Sequence, residues 1–289
     1  MDESLSSWLA LREPADFAAR SATLADTIAR RLDAADPVRI VDLGTGTGSN
    51  LRYLIDRLSP HQEWLLVDRD QRLLTEVGDR MQTWANARGY EVNRERDGLI
   101  LGREGRRCRI TTRRMDLGVL SGDEIFQGRH LVTASALLDL VSVDWLRALA
   151  NHCAAHRCAA LFALSYNGES HAVPREPEDD EIRALMNRHQ RTDKGFAPAA
   201  GPDASAAAAR VFEAVGYDVQ RERTNWLLGP ELPELQRQLM EGWAHAALEI
   251  APERSAAIRD WLARRLEHLR QGRSRIVVGH EDLAAWARS

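Results

Sequence analysis

The 289-residue sequence has three cysteines, Cys108, Cys153 and Cys158, at irregular spacing. That excludes a disulfide scaffold and fits free thiols in a reducing compartment, so a cytoplasmic location is expected. No apolar run is long enough to cross a bilayer; the one from Leu131 to Val143 is broken by polar residues. The N-terminal MDESLSSWLALREP has no basic stretch leading into an apolar segment, so no signal peptide is expected. A positive charge excess is missing as well: the formal net charge is −4, which argues against a partner lined with phosphates. The one basic stretch, residues 88–114, is interleaved with Glu91, Glu95, Asp97 and Glu104 and lacks aromatics at stacking intervals, so it predicts a solvated β-hairpin. There is no G-x-S-x-G elbow and no P-loop, which removes the usual grounds for acyl transfer or nucleotide hydrolysis. The chain is 44% hydrophobic and 28% charged, ordinary for a globular protein able to bury one core plus a helical annex. A small-molecule partner is therefore expected, with no nucleic acid and no membrane; nothing in the sequence sets an oligomeric state.

Apolar periodicity divides the chain. Residues 1–33 read as helical, with a break at Glu13-Pro14 and a second helix carrying Phe17, Leu24, Ile28 and Leu32 on one side. Val38 to Gly44 is an apolar run ending in glycine, the pattern of a buried parallel strand. A helix over 49–58, a strand over 64–68 and a helix over 71–87 follow. Further strands are expected at 109–114, 130–135 and 159–166, with a helix over 143–156 between the last two. A helix over 204–215 leads into a sixth strand ending near Trp226, and 275–279 is a short last strand. Strands alternating with helices imply a doubly wound α/β sheet. The polar stretch 167–202 contains PREPEDDE, which reads as a mobile loop. Residues 229–272 read as two helices, striped by Leu235, Leu239, Trp243, Ala246 and Ile250 and by Ile258, Trp261, Leu262, Leu266 and Leu269. Both segments leave the carboxyl ends of strands, the ligand-binding edge of open α/β sheets. If they fold back, the pocket is roofed and suits a small molecule.

The informative stretch is Val41-Asp42-Leu43-Gly44-Thr45-Gly46-Thr47-Gly48. A strand ends in a carboxylate, and three alternating glycines open a helix. The glycines allow a sharp turn and close approach of backbone amides to a ligand. Asp68 closes the next strand twenty residues after Gly48, where a carboxylate accepts ribose hydroxyls. A dinucleotide site calls for G-x-G-x-x-G; here the third glycine comes one residue early, and Asp42 would face a diphosphate with negative charge. A ligand with an ammonium group and no phosphate suits Asp42 better. S-adenosylmethionine (SAM) is such a ligand.

In VDLGTGTG, in LLVD ending at Asp68 and in Asp116-Leu117, the chain resembles the class I SAM-dependent methyltransferases, over roughly residues 38–226 and 275–279. The resemblance implies a Rossmann-like, mostly parallel sheet of seven strands, the last antiparallel. An N-terminal helical cap would occupy 1–36, the sheet 37–228 and 273–289, and a helical insertion 229–272, all in one domain. It implies that Asp42, Gly44, Thr45, Gly46, Gly48, Asp68 and Arg69 hold the cofactor. Asp116 would bond the adenine amine and Leu117 pack on its ring, with Ser135 and Arg20 completing the set, Arg20 by pairing with the methionine carboxylate. The stretch Thr133 to Asp139 aligns with the family's substrate-facing motif but departs from the N/D-P-P-Y/F form carried by amino-methylating enzymes of nucleic-acid bases and some proteins, which argues against those substrates.

The catalytic residue stays open. A general base is needed only if the nucleophile arrives protonated, and His171, His189, Asp193, Asp139 and Tyr166 are the candidates. His189, Arg191 and Lys194, beside Gly195, suggest a binding loop for an anionic substrate group. Of two metal-like clusters, His152-Cys153-His156-Cys158 lacks paired ligand spacing, and Glu241-His245-Glu249, four apart on one helix face, lies opposite the Leu239–Trp243–Ile250 stripe and reads as a solvated face, so no metal is expected. The expected activity is methyl transfer to a small polar molecule. A non-catalytic SAM or S-adenosylhomocysteine sensor and an NAD-dependent oxidoreductase are the rivals.

Overall fold

The computed structural model describes residues 2–96, 98–118, 120 and 122–288. Two helices open the chain, α1 (Asp2–Ala19) and α2 (Ala22–Leu32). The expected break at Pro14 is not there: α1 runs through it, and the chain bends at Arg20-Ser21 instead. The reason is a better stop further on. Ser21 Oγ accepts the Leu24 amide at 3.0 Å, capping α2, and the Ser21 amide donates to Asp282 at 2.9 Å.

Then come β1 (Val38–Leu43), α3 (Ser49–Leu54), β2 (His61–Asp68), α4 (Gln71–Asn86), β3 (Glu91–Glu95), β4 (Gly98–Arg103), β5 (Arg106–Arg114), β6 (Leu131–Ser135) and α5 (Val143–His156). The second half holds β7 (Ala159–Val173), α6 (Asp179–Gln190), α7 (Ala204–Ala214), β8 (Tyr217–Arg223), β9 (Trp226–Leu228), α8 (Pro233–Ile250), α9 (Ser255–Arg270) and β10 (Arg275–Ala287). The strands lie in the order β3-β4-β5-β2-β1-β6-β7-β10-β8, with β9 paired to β10. Strands β5, β2, β1, β6 and β7 are parallel, and β10 runs antiparallel to its neighbours.

The sheet has ten strands, not the expected seven. Two of the extra ones come from the basic stretch, where Leu99 and Leu101 of β4 pack inward beside Ile110 of β5 while the arginines turn out, Arg109 to Glu95 at 2.9 Å and Arg94 to Asp79 at 2.7 Å. The third, β9, is separated from β8 by Thr224, whose hydroxyl donates to Asp282. The last strand is also longer than expected. Gly279, taken as its end, is a bulge: Asn167 packs where a Cβ would stand, and β10 continues along β7 and β8.

Alternation along the parallel strands builds two cores. Val38, Ile40, Trp64 and Leu66 face α2, α3 and α4, while Val41, Leu43, Leu65 and Val67 face α5 and α7. A third core joins α1, α6, α8 and α9 to the extended ends of β7 and β10, around Trp226, Trp243 and Trp261. The acidic segment read as a mobile loop is anchored there. Asp179 and Glu178 meet Arg265 and Arg264, and Glu176 accepts from Arg264 at 2.6 Å and pairs with His268 at 2.7 Å. Its three acids at residues 179–181 open α6, where the helix dipole favours them. No helix among the described residues is long and apolar enough to cross a membrane.

Candidate functional site

The site forms where β1 stops. Gly44, Gly46 and Gly48 all have left-handed φ, 65°, 55° and 81°, so the turn requires residues without a Cβ. The Thr45 amide donates to Val67 O at 3.0 Å, tying the turn to β2. Asp42 lies under it, fully buried, accepting Thr45 Oγ1 and Asn50 Nδ2, each at 2.6 Å. Burial pushes its carboxyl up to about 6, against these hydrogen bonds. Asp68, at the end of β2, accepts the Gly46 amide at 2.8 Å and the Asp70 amide at 2.9 Å. A carboxylate has about four lone-pair sites, so both acids keep acceptor capacity toward the turn.

Helix α1 lies over this turn. A Cβ at Gly46 would come within 3.1 Å of Leu9. Arg52, in the last turn of α3, donates to Glu13 of α1 at 2.7 and 2.6 Å and to Thr47 O at 2.7 Å, clamping helix to turn. Leu9, Arg12 and Asp16 enclose with Gly44 to Thr47, Ser49, Asn50, Ser135 and Ala136 a cavity of about 50 Å³. A cofactor-sized ligand needs on the order of 300 Å³ or more, so this cavity beneath α1 holds at most part of one.

Several buried polar atoms here have no partner: Arg20 Nε, Thr47 Oγ1 and Asn50 Oδ1. Each is a group that a bound ligand would satisfy. Arg20 is buried, its guanidinium 4.0 Å over the Tyr53 ring and within electrostatic reach of Asp42, Asp16 and Asp282; burial lowers its pKa. The pairing of Asp42 with Arg20 matches the two charges of an amino-acid tail, so these residues fit a SAM-like ligand.

The other expected cofactor residues are placed as follows. Asp116 Oδ1 accepts the Gly118 amide at 2.9 Å, and Leu117 is buried, its carbonyl accepting Trp145 Nε1 at 2.6 Å. The turn at Gly195 packs on Gly118, and Arg69 reaches the same turn. Ser135 lines the cavity.

The candidate bases scatter. His189 Nε2 lies 2.9 Å from Glu249, and Asp193 builds its own turn by accepting the Gly195 and Phe196 amides. Tyr166 donates to Asn187 at 2.9 Å, and His171 is exposed. Arg191 pairs with Asp203 at 2.9 Å, and Lys194 Nζ lies 3.3 Å from His189 Nδ1. Asp139 is buried beyond the end of β6, with Oδ1 unpartnered and its carboxyl pushed up to about 6 by burial. Sequence reasoning missed Asn50, Thr47, Arg12 and His280. Asn50 was findable: it is the second residue of the helix that the glycines open, one turn above Asp42. Arg12 and His280 arrive from opposite ends of the chain with no local signal.

Of the metal-like clusters, His152 and His156 pair with Asp123, Cys153 and Cys158 are buried, and Glu249 pairs with His189 and His245. Among the described residues no group of three or more His, Cys, Asp or Glu is arranged to hold a metal ion.

No family model matches the chain, and no curated protein does. Solved structures resemble it at low identity. An O-methyltransferase family protein from Burkholderia thailandensis gives a TM-score of 0.45 at 12% identity, covering 96% of this chain and 58% of that one. A Haemonchus contortus N-methyltransferase in complex with phosphomonomethylethanolamine and S-adenosylhomocysteine gives 0.44 at 11%, covering 98% and 58%. A SAM-dependent methyltransferase from Geobacter sulfurreducens with S-adenosylhomocysteine gives 0.43 at 16%, covering 93% and 92%. Reaction and substrate must follow from the residues of the site, not from this likeness.

Proposed function

We propose that the chain binds S-adenosylmethionine on the glycine turn and transfers its methyl group to a small polar molecule. The observation that carries this reading is the pair of opposite charges buried at the turn: Asp42 beneath it, and Arg20 nearby with Nε unpartnered. An amino-acid tail brings an ammonium to the first and a carboxylate to the second. A diphosphate would bring negative charge to Asp42. Asp68 supports the reading as acceptor for ribose hydroxyls, and Asp116 with Leu117 as the adenine contact.

When bound, the sulfonium supplies a methyl carbon already activated for in-line displacement. The chain's own task is then to align an acceptor with it and exclude water. Helix α1 over the turn, and α6, α8 and α9 packed on the ends of β7 and β10, supply a roof that suits a small acceptor. His189, Arg191 and Lys194 are proposed to meet an anionic group at the acceptor's far end. Replacing Arg191 and Lys194 with alanine should raise the Michaelis constant for acceptor and spare SAM affinity; an equal loss in both would sink that role.

The cofactor itself is tested by thermal shift with SAM, S-adenosylhomocysteine and NAD. At a hundred times its dissociation constant a ligand should stabilise the fold by about 2.7 kcal/mol. Stabilisation by SAM and S-adenosylhomocysteine is expected. A response to NAD alone would overturn the assignment in favour of a redox enzyme.

A further inference from the structure

Among the described residues, the polar atoms buried without partners beyond the glycine turn include Asp139 Oδ1 and His280 Nδ1, on residues each 6% exposed. They belong to one place. His280 is the cross-strand partner of Tyr166, its ring 6.3 Å from that of Tyr166 and 5.1 Å from that of Trp226. Asp139 and Tyr166 lie within electrostatic reach of each other. Arg12 of α1 sits 4.9 Å over Trp226, and its charge acts on both Asp139 and His280. Arg12 also lines the cavity at the turn, beside Ser135 and Ala136, so it links this cluster of side chains to the cofactor position.

The cluster's charge is unbalanced. Arg12 is held by both oxygens of Asp16, at 2.9 and 3.1 Å, and Asp16 also accepts Trp226 Nε1 at 3.0 Å. Burial keeps His280 neutral, and burial likewise keeps the Tyr166 phenol protonated. The Asp139 carboxylate, mostly ionised at neutral pH, is eased by the backbone amides of Asp139 and Tyr166 and by the more distant Arg12 charge, but among the described residues no cation pairs with it directly and Oδ1 stays unpartnered. A buried unpaired carboxylate is costly, and what relieves it is a cation or a strong donor. The faces of Trp226 and Tyr166 favour a cation too.

We propose that this cluster receives the amino group of a small amine and that Asp139 takes a proton from it before methyl transfer. The inference rests on the donor assignment above and adds the acceptor's chemical class. The step balances. An N–H bond of the ammonium breaks and its proton goes to the Asp139 carboxylate. The freed nitrogen lone pair then forms the N–C bond to methyl, while the C–S bond breaks and its electron pair stays on sulfur. Positive charge passes from sulfur to nitrogen. His280 Nδ1 accepts a second N–H and orients the group.

The test uses the full chain saturated with S-adenosylhomocysteine and probed with matched alkyl and benzyl amines, carboxylates and alcohols, read by thermal shift and calorimetry. Amines should stabilise the loaded protein and their carboxylate and alcohol counterparts should not. Asp139→Asn should weaken amine binding at least tenfold while changing S-adenosylhomocysteine affinity less than twofold, which also shows that the variant is folded. Failure of S-adenosylhomocysteine to bind would sink the donor assignment. If it binds, but carboxylates or alcohols stabilise as well as amines, or the variant binds amines as wild type does, the amine inference is overturned.

Discussion

Asp42 and Asp139 carry similar burial but different company. Both carboxyls are pushed up to about 6 from 3.8 because burial disfavours the ionised form. Asp42 has Thr45 and Asn50 on its oxygens, whereas Asp139 Oδ1 has nothing. A carboxyl raised in the folded state favours folding only while protonated. Its contribution is complete below about pH 3.8, and it is lost as pH rises through about 6. Two titrations about two pH units apart correspond to on the order of 3 kcal/mol. Asp139→Asn cannot ionise, so urea denaturation across pH 4 to 8 should show wild type losing stability relative to the variant by about that amount as pH rises. The asparagine amide adds its own cost at Oδ1's place, so the slope rather than the offset is diagnostic. Parallel profiles would mean that water or a neighbour already satisfies Asp139.

Among elements, α1 decides access. Its clamp, Glu13 to Arg52 to the Thr47 carbonyl, holds Leu9 against the turn and leaves only about 50 Å³ beneath. A helix that has to lift before a ligand enters slows association, which makes the clamp testable. Glu13→Gln keeps the shape and weakens one charge-assisted contact; stopped-flow association of SAM should speed up several-fold, with a smaller change in dissociation constant. An unchanged association rate would remove α1 from the entry step. The same elements show what a sequence conceals. β1, its glycine turn and β2 were readable because apolar runs, a terminal carboxylate and glycines are all local signals. The far half of β7 was not: NGESHAV carries no apolar alternation, and its partner strand lies a hundred residues away. α6 was hidden because acids that stabilise a helix start also lower hydrophobicity, which reads as a loop. Pro14 misled in the other direction, since packing of Trp8, Leu11, Ala15 and Ala19 against the third core offsets its intrinsic cost of about 3 kcal/mol.

At the scale of the molecule, roof and lid share one foundation. The third core takes in Ala15 of α1 together with α6, α8, α9 and the ends of β7 and β10, so whatever docks α9 also steadies the helix over the turn. Arg265 is the pin: fully buried on α9, it bonds Asp179 and the Pro174 carbonyl, while Trp261 Nε1 donates to the same Asp179 at 2.8 Å. Removing one partner from a buried ion pair leaves an uncompensated charge, a loss of about 3–5 kcal/mol, whereas an exposed pair contributes at most about 1. Arg265→Ala should therefore lower the unfolding free energy by an amount in the first range, and Asp179→Asn in that background should restore part of it by removing the stranded carboxylate. Because the glycine turn is built on β1, β2 and α3, calorimetry should still detect S-adenosylhomocysteine binding to folded Arg265→Ala, while the amine response, which needs Arg12 of α1 and His280 of β10 in place, should fall first. Loss of both together would mean that the insertion and the cofactor turn form one cooperative unit, and a loss of stability below about 1 kcal/mol would mean that Arg265 does not pin α9 to the sheet.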